Sequence, residues 1–127
     1  MLREWTKPYI KFQDCMRKKI LSIEDTSTGY YVKEKDCEKE YIIKETLDFD
    51  YESHAERIII ITKNTEENVA RLIKEWKTIK DRKNLTLYFV NTKKNEKWHI
   101  QPYHHHNIAE HIKESIHTLA AGVSYEY

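Results

Sequence analysis

The sequence is poor in the residues that break or loosen a chain. Glycine and proline occur twice each in 127 residues. That excludes Gly/Pro-built repeats, flexible linkers and low-complexity tracts. Cysteine also occurs only twice. Cys15 and Cys37 are far apart and follow no metal or redox spacing, so they read as reduced thiols in a cytoplasmic setting. No apolar run approaches the roughly 20 residues of a membrane span. The opening residues Met1-Leu2-Arg3-Glu4-Trp5 carry no signal-peptide apolar core. There is no Gly-rich phosphate loop and no nucleophile elbow.

What is present is charge, isoleucine and tyrosine. Charged residues make up 34% of the chain, yet the net charge is +1. Such a composition fits an intracellular protein of an AT-rich, heat-loving organism. The balance hides an asymmetry. Residues 34–56 hold nine acids against three lysines, residues 63–97 ten basic groups against five acids, and residues 1–20 six against two. Two basic segments therefore flank an acidic one, which suits a polyanion on one face and a basic partner on the other; solvated surface with internal pairing is the plainer reading. The length matches one domain, residues 1–127.

The organising stretch runs from His54 to Tyr103. Ile58-Ile59-Ile60-Ile61 is a β-branched run that suits a strand covered on both faces. Val69, Leu72, Ile73, Trp76 and Ile79 follow at helical spacing, with Asn64 and Glu67 as a capping box. Leu85 to Val90 alternates like a strand. Asn91 to Glu96 is a turn into a second alternating run, Lys97 to Tyr103. The unit reads β-α-β-β, with a right-handed crossover between parallel strands and then a hairpin. Upstream, Pro8 suits the first turn of a helix that carries Tyr9, Phe12, Met16, Ile20 and Ile23 on one face. Gly29–Lys33 and Glu40–Phe49 read as strands. Downstream, Asn107 with Glu110 opens a helix that Gly122 ends. The expected fold is α/β (α+β): α-β-β-β-α-β-β-α with a mixed sheet of about five strands. Its parts are an N-terminal helix (1–25), a mixed-sheet core (29–103) and a C-terminal helix (104–127).

Six histidines, His99, His104, His105, His106, His111 and His117, cluster near the C-terminus. Zinc needs three or four converging ligands, but no HExxH or CxxC accompanies them. A core-edge imidazole is the plainer reading of His111, and no metal or cofactor is assigned. Metal-dependent cleavage on an α-β-β-β-α-β core needs carboxylates on its strands, and Ile58–Lys63 carries none. One pair remains. His54 precedes the buried strand and Lys83 follows the crossover helix, so a parallel β-α-β unit brings both to one edge of the sheet. An imidazole as acid-base and an ammonium on a developing phosphorane suit metal-free RNA cleavage through the 2′-hydroxyl. The plainer reading is an exposed loop histidine and a surface lysine.

Several segments, taken together, resemble the C-terminal α/β domain of archaeal tRNA-splicing endonucleases, whose core is restriction-endonuclease-like. Gly29-Tyr30-Tyr31-Val32-Lys33 is similar to the family's G-Y-x-V-K strand. Glu40-Tyr41-Ile42-Ile43-Lys44 stands where the family has D-F-x-x-Y. His54-Ala55-Glu56 resembles its H-S/A-x segment, and Arg82-Lys83-Asn84-Leu85 its R-K-x-L. Trp98 and Tyr103 take the places of aromatics in the closing strand. The resemblance covers residues 29–103. It implies excision of introns from precursor tRNA at a bulge-helix-bulge, without metal, by a Tyr, a His and a Lys. The His matches His54 and the Lys matches Lys83. The Tyr position falls at or next to Lys44; Tyr41 and Tyr51 are nearby but out of step. The family's glycine is absent around Glu38-Lys39-Glu40, its acidic docking turn is replaced by the basic Asn91–Glu96, and the last helix is extra. A chain that keeps the fold but lacks the Tyr is expected to be the structural subunit of a heterotetramer. Its partners would be a catalytic subunit, docked through the last strands, and precursor tRNA. Arg17, Lys18, Lys19, Lys80, Arg82 and Lys83 would touch RNA phosphates. His54 and Lys83 would be vestigial catalytic positions. A self-sufficient metal-independent RNase and a non-enzymatic nucleic-acid or protein adaptor are the alternatives.

Overall fold

Four consecutive isoleucines need two covered faces, and Ile58 to Ile61 find them at the centre of a sheet. The computed structural model describes residues 2–127. Over these the chain runs α1 (Leu2–Asp14), β1 (Ile20–Asp25), β2 (Gly29–Glu34), β3 (Glu38–Lys44), β4 (Arg57–Lys63) and α2 (Glu66–Lys74). Then come α3 (Trp76–Ile79), β5 (Leu85–Asn91), β6 (Glu96–Ile100), α4 (Pro102–Ile108) and α5 (Ile112–Ala121). One mixed six-stranded sheet holds the strands in sequence order. β3, β4 and β5 are parallel neighbours, while β1–β2, β2–β3 and β5–β6 pair antiparallel.

The alternation of side chains along β4 divides the core in two. Ile58 and Ile60 pack with Leu72, Trp76, Ile79, Leu87, Phe89 and Ile116 on the side that carries α2, α3 and α5. Ile59 and Ile61 pack with Tyr30, Val32, Tyr41, Val90, and Leu2 and Ile10 of α1 on the other. Each fully buried aliphatic side chain contributes about 1.5–3 kcal/mol. Gly29 is required by a close approach: a Cβ there would lie 1.9 Å from the backbone oxygen of Tyr41 on β3.

The α/β class, the mixed sheet and the parallel crossover agree with the sequence reading, and the element count does not. The sheet has six strands rather than five, because Ile20–Asp25 is a strand and not the end of the first helix. Helix α1 begins at Leu2 and stops at Asp14, so Pro8 lies inside it. Two local features end it. Lys18 takes a left-handed φ of 51°, and the Asp14 carboxylate accepts from the backbone N–H of Lys19 and of Ile20. Strand β3 ends at Lys44 rather than Phe49, and Leu47 and Phe49 reach the core from the following loop. The crossover helix is capped by Thr65, whose side chain accepts from Asn68 N at 3.1 Å, and not by Asn64. It breaks at Glu75 into α2 and α3. Strand β6 stops at Ile100, and Pro102 opens α4 instead of closing a strand, a position whose missing N–H costs nothing. The single C-terminal helix expected from Asn107 to Gly122 is two, separated at Ala109–His111. Ile108, the last residue of α4, is 82% exposed.

After α5 the chain returns across the C-terminal ends of β4 and β5. Asn64 and Asn91 donate side-chain N–H groups to Ser124 O at 3.0 and 3.1 Å, and Glu126 N donates to Asn64 O at 2.8 Å. The buried Glu126 carboxylate accepts from Thr92 N and, at 2.8 Å, from Thr92 Oγ1, with Lys63 Nζ 3.6 Å away. Burial pushes its carboxyl up, but these partners outweigh that and hold it below the usual range. Open α/β sheets keep ligand crevices at the carboxyl ends of their parallel strands. Here the tail lies across that edge, which directs attention to the opposite one.

Candidate functional site

Strands β1, β3, β4 and β5 all point the same way, so Ile20, Glu38, Arg57 and Leu85 begin them on one rim. Ile58 is paired with Leu85, and Ile58 N donates to Asn84 O at 2.9 Å. The residues just before β4 and β5 therefore meet. His54 lies three residues ahead of β4, and Lys83 two residues ahead of β5. Both side chains are exposed. Among the described residues, no hydrogen bond or ion pair joins them.

The loop that presents His54 is fixed on both sides of it. Ser53 Oγ donates to Glu40 Oε1 at 2.6 Å and accepts from Ala55 N at 3.2 Å. Ala55 is buried. Earlier in the loop, Lys44 Nζ donates to Asp48 Oδ1 at 2.6 Å and to Asp50 O at 2.7 Å. That ammonium bond holds the Asp48 carboxyl below its usual range. Leu47 N donates to Asn68 Oδ1 at 2.9 Å, which ties the loop to α2.

Four further side chains complete this end of the rim. Arg82 Nη1 donates to Tyr51 Oη at 3.1 Å, and its guanidinium carbon lies 5.4 Å from the Tyr51 ring centroid. Lys83 Nζ is 5.3 Å from the Tyr103 ring centroid. Arg57 is exposed at the first position of β4. Tyr51, His54, Arg57, Arg82, Lys83 and Tyr103 thus belong to one end of the sheet. A phenol, an imidazole and an ammonium on one rim are the groups that proton transfer and phosphorane stabilisation use.

Both basic clusters read from the sequence come to this rim. Lys80, Arg82 and Lys83 precede β5, and Arg17, Lys18 and Lys19 precede β1. Four strand spacings, about 19 Å, separate their strands. Several of these charges are already engaged. Arg17 lies 3.6 Å from Glu34, Lys19 3.1 Å from Asp36, and Lys80 3.6 Å from Asp81. Among the described residues, Lys18, Arg57 and Lys83 have no ion-pair partner. The rim between the clusters is acidic: Tyr31 Oη donates to Glu38, and that bond pushes its phenol up to about 12.

The matched Tyr position is not part of the site. Lys44 ends β3, pairs with Thr62, and so lies on the far rim, about 20 Å along the strand from the His54 end. Tyr41 is buried under α1, where burial raises its phenol pKa. Tyr51 is a tyrosine that does reach the rim, against Arg82. Its separation from His54 differs from the family's, and sequence comparison alone left it out of step. Arg57 was also missed; its one signal is its place between His54 and the isoleucine run.

The histidines do not converge. Trp76 Nε1 donates to His106 Nδ1 at 3.1 Å, and His105 meets the Trp76 ring edge-on at 5.9 Å. Burial lowers the His105 pKa. His104 packs on Tyr103 and His99 on Tyr88. The clustered metal-type donors among the described residues are Glu34, Asp36 and Cys37. There Lys39 sits 3.1 Å from Glu34, and burial followed by the Glu34 charge raises the Cys37 thiol pKa. No helix among the described residues is long and apolar enough to cross a membrane.

No protein-family model matches the chain, and no curated protein or solved structure does either.

Proposed function

We propose that this chain is the structural subunit of a tRNA-splicing endonuclease of the archaeal type. The supporting observation is the parallel β4-α2-α3-β5 crossover, which sets His54 and Lys83 at the start of adjacent strands with both basic clusters on the same rim. RNA phosphates lie along that rim, on Lys18, Arg57 and Lys83, and binding is accordingly salt-dependent. Lys44 takes the third position of the resemblance on the opposite rim, so this chain supplies a surface rather than a complete set of reacting groups. β6 is an edge strand and offers the catalytic partner an unpaired backbone. In the complex, the partner's base takes the 2′-hydroxyl proton, the oxygen attacks the adjacent phosphorus, and the leaving 5′-oxygen is protonated. Purified alone, the chain leaves a bulge-helix-bulge RNA intact in EDTA; adding the catalytic subunit produces cutting.

A second reading rests on Tyr51. Its hydroxyl is on the His54 rim, against Arg82, so a tyrosine, a histidine and a lysine occur there within one chain. In that reading the chain alone cuts RNA without metal, and His54→Ala abolishes the activity. Cleavage by the isolated chain removes the structural assignment in favour of this one.

A further inference from the structure

One side of the sheet is covered by a single helix. A helix about 10 Å across cannot cover six strands, a width of about 24 Å. Leu2 and Ile10 of α1 pack over β2 to β5 down to Val90, Tyr9 reaches Tyr88, and Lys97 and His99 of β6 stay exposed. The side chains at the β5–β6 end of this face are Thr86 and Tyr88 from β5, and Lys97 and His99 from β6. Tyr88 is paired with His99, and Val90 with Lys97. None of these side chains is a carboxylate.

The rings form a rail. Tyr88 and His99 stack with centroids 5.1 Å apart and planes 22° from parallel. Tyr9 meets Tyr88 edge-on at 5.7 Å, and Trp5 stacks on Tyr9 at 4.7 Å. Trp5 is held by Nε1 donating to Asn95 Oδ1 at 2.9 Å. Lys97 Nζ stands 5.1 Å from the Tyr9 centroid. Phe12 extends the α1 wall and is 73% exposed. A cleft of about 570 Å³ is lined by Glu4, Trp5, Tyr9, Phe12, Asn95 and Lys97. Lys97 and His99 are exposed.

We infer that this open sheet face, centred on Tyr88, His99 and Lys97, is a base-stacking platform for single-stranded RNA. Planar rings standing beside the Lys97 ammonium match unstacked bases joined by phosphates. The charge on the floor selects a polyanion. The inference stands apart from the splicing reading, since it concerns binding by the β5–β6 face and no cleavage.

The test is fluorescence anisotropy of 5′-labelled oligouridylate of twelve nucleotides, titrated with the full chain at 50 mM salt. The single strand binds, and a duplex of the same length binds more weakly. His99→Ala weakens binding about tenfold, the loss of one stacked base, while His99→Phe restores it. Lys113→Ala, on the helix-covered side, leaves binding within about twofold. No binding overturns the inference, and so does an unchanged affinity in His99→Ala. Equal losses in His99→Ala and Lys113→Ala, which mark diffuse charge attraction, also overturn it. So does a dimer in sedimentation velocity that His99→Glu dissociates, because the face then meets a second copy. A chain that binds the oligonucleotide through His99 yet supports no cleavage in any complex keeps this inference and loses the splicing one.

Discussion

Replacing Asn68 by alanine should release the loop that presents Tyr51 and His54. Asn68 is 3% exposed. Its Oδ1 accepts from Leu47 N at 2.9 Å. Its Nδ2 donates toward Glu45 O at 2.9 Å, Lys63 O at 2.9 Å and Thr62 Oγ1 at 3.1 Å. One amide therefore joins the β3–β4 loop to the end of β4. In Asn68→Ala the Leu47 N–H has no acceptor, and Leu47 itself is 1% exposed. An unsatisfied buried donor costs about 1–3 kcal/mol, and the small cavity adds about 1 kcal/mol. A total of about 2–4 kcal/mol lowers Tm by roughly 10 °C in a domain of this size. Asn68→Asp is worse at neutral pH, because it turns a buried carboxylate toward two carbonyl oxygens, and it recovers in part when acid protonates it. Urea unfolding followed by tryptophan fluorescence measures the loss, and hydrogen exchange at Leu47 N–H locates it. A loss below 1 kcal/mol with unchanged exchange at Leu47 refutes the claim that this amide pins the loop.

Other consequences follow from single contacts. Gly29→Ala forces β2 away from β3, since its Cβ would meet the Tyr41 carbonyl; thermal melting should fall by more than 10 °C, and a fall of under 3 °C contradicts the close approach. Glu126→Gln should cost about 1–3 kcal/mol at pH 7. The native carboxyl is held low, so this difference is fully present above the unfolded glutamate pKa near 4.3 and is lost as pH falls from there through the lower folded-state value; a gap that does not shrink at all on acidification contradicts it. The His105 pKa is depressed by burial. The unfolded chain then binds more protons just below pH 6.5, so stability drops as pH falls through that value. His105→Leu should flatten the drop in urea midpoints between pH 7 and pH 5, and identical slopes would contradict the burial argument.

The middle of the fold was legible because one pattern admits few solutions. Four β-branched residues in a row require cover on both faces, and the Trp76-bearing helix after them requires a parallel partner strand. That topology alone placed His54 and Lys83 on one rim. The ends were less legible. Ile20 and Ile23 fit a helical face and a strand equally well by spacing. What decided between them was Lys18 in a left-handed conformation and the Asp14 carboxylate on the next turn, neither of which leaves a glycine as a marker. The C-terminal tail is held by Asn64 and Asn91, some 59 and 33 residues away in sequence, a contact that no local period reveals. Tyr51 was hidden for a similar reason: an irregular loop, anchored by Asn68 and Arg82, sets its place rather than its position along a strand.

The most direct test of the account is the activity of the complex this chain forms. The tagged chain is recovered with its partner from its native cells and incubated in EDTA with a 5′-labelled bulge-helix-bulge RNA. The account predicts two cuts at the bulges that leave 2′,3′-cyclic phosphate ends, with no cutting by the chain purified alone. An intact RNA in the presence of the recovered complex contradicts it.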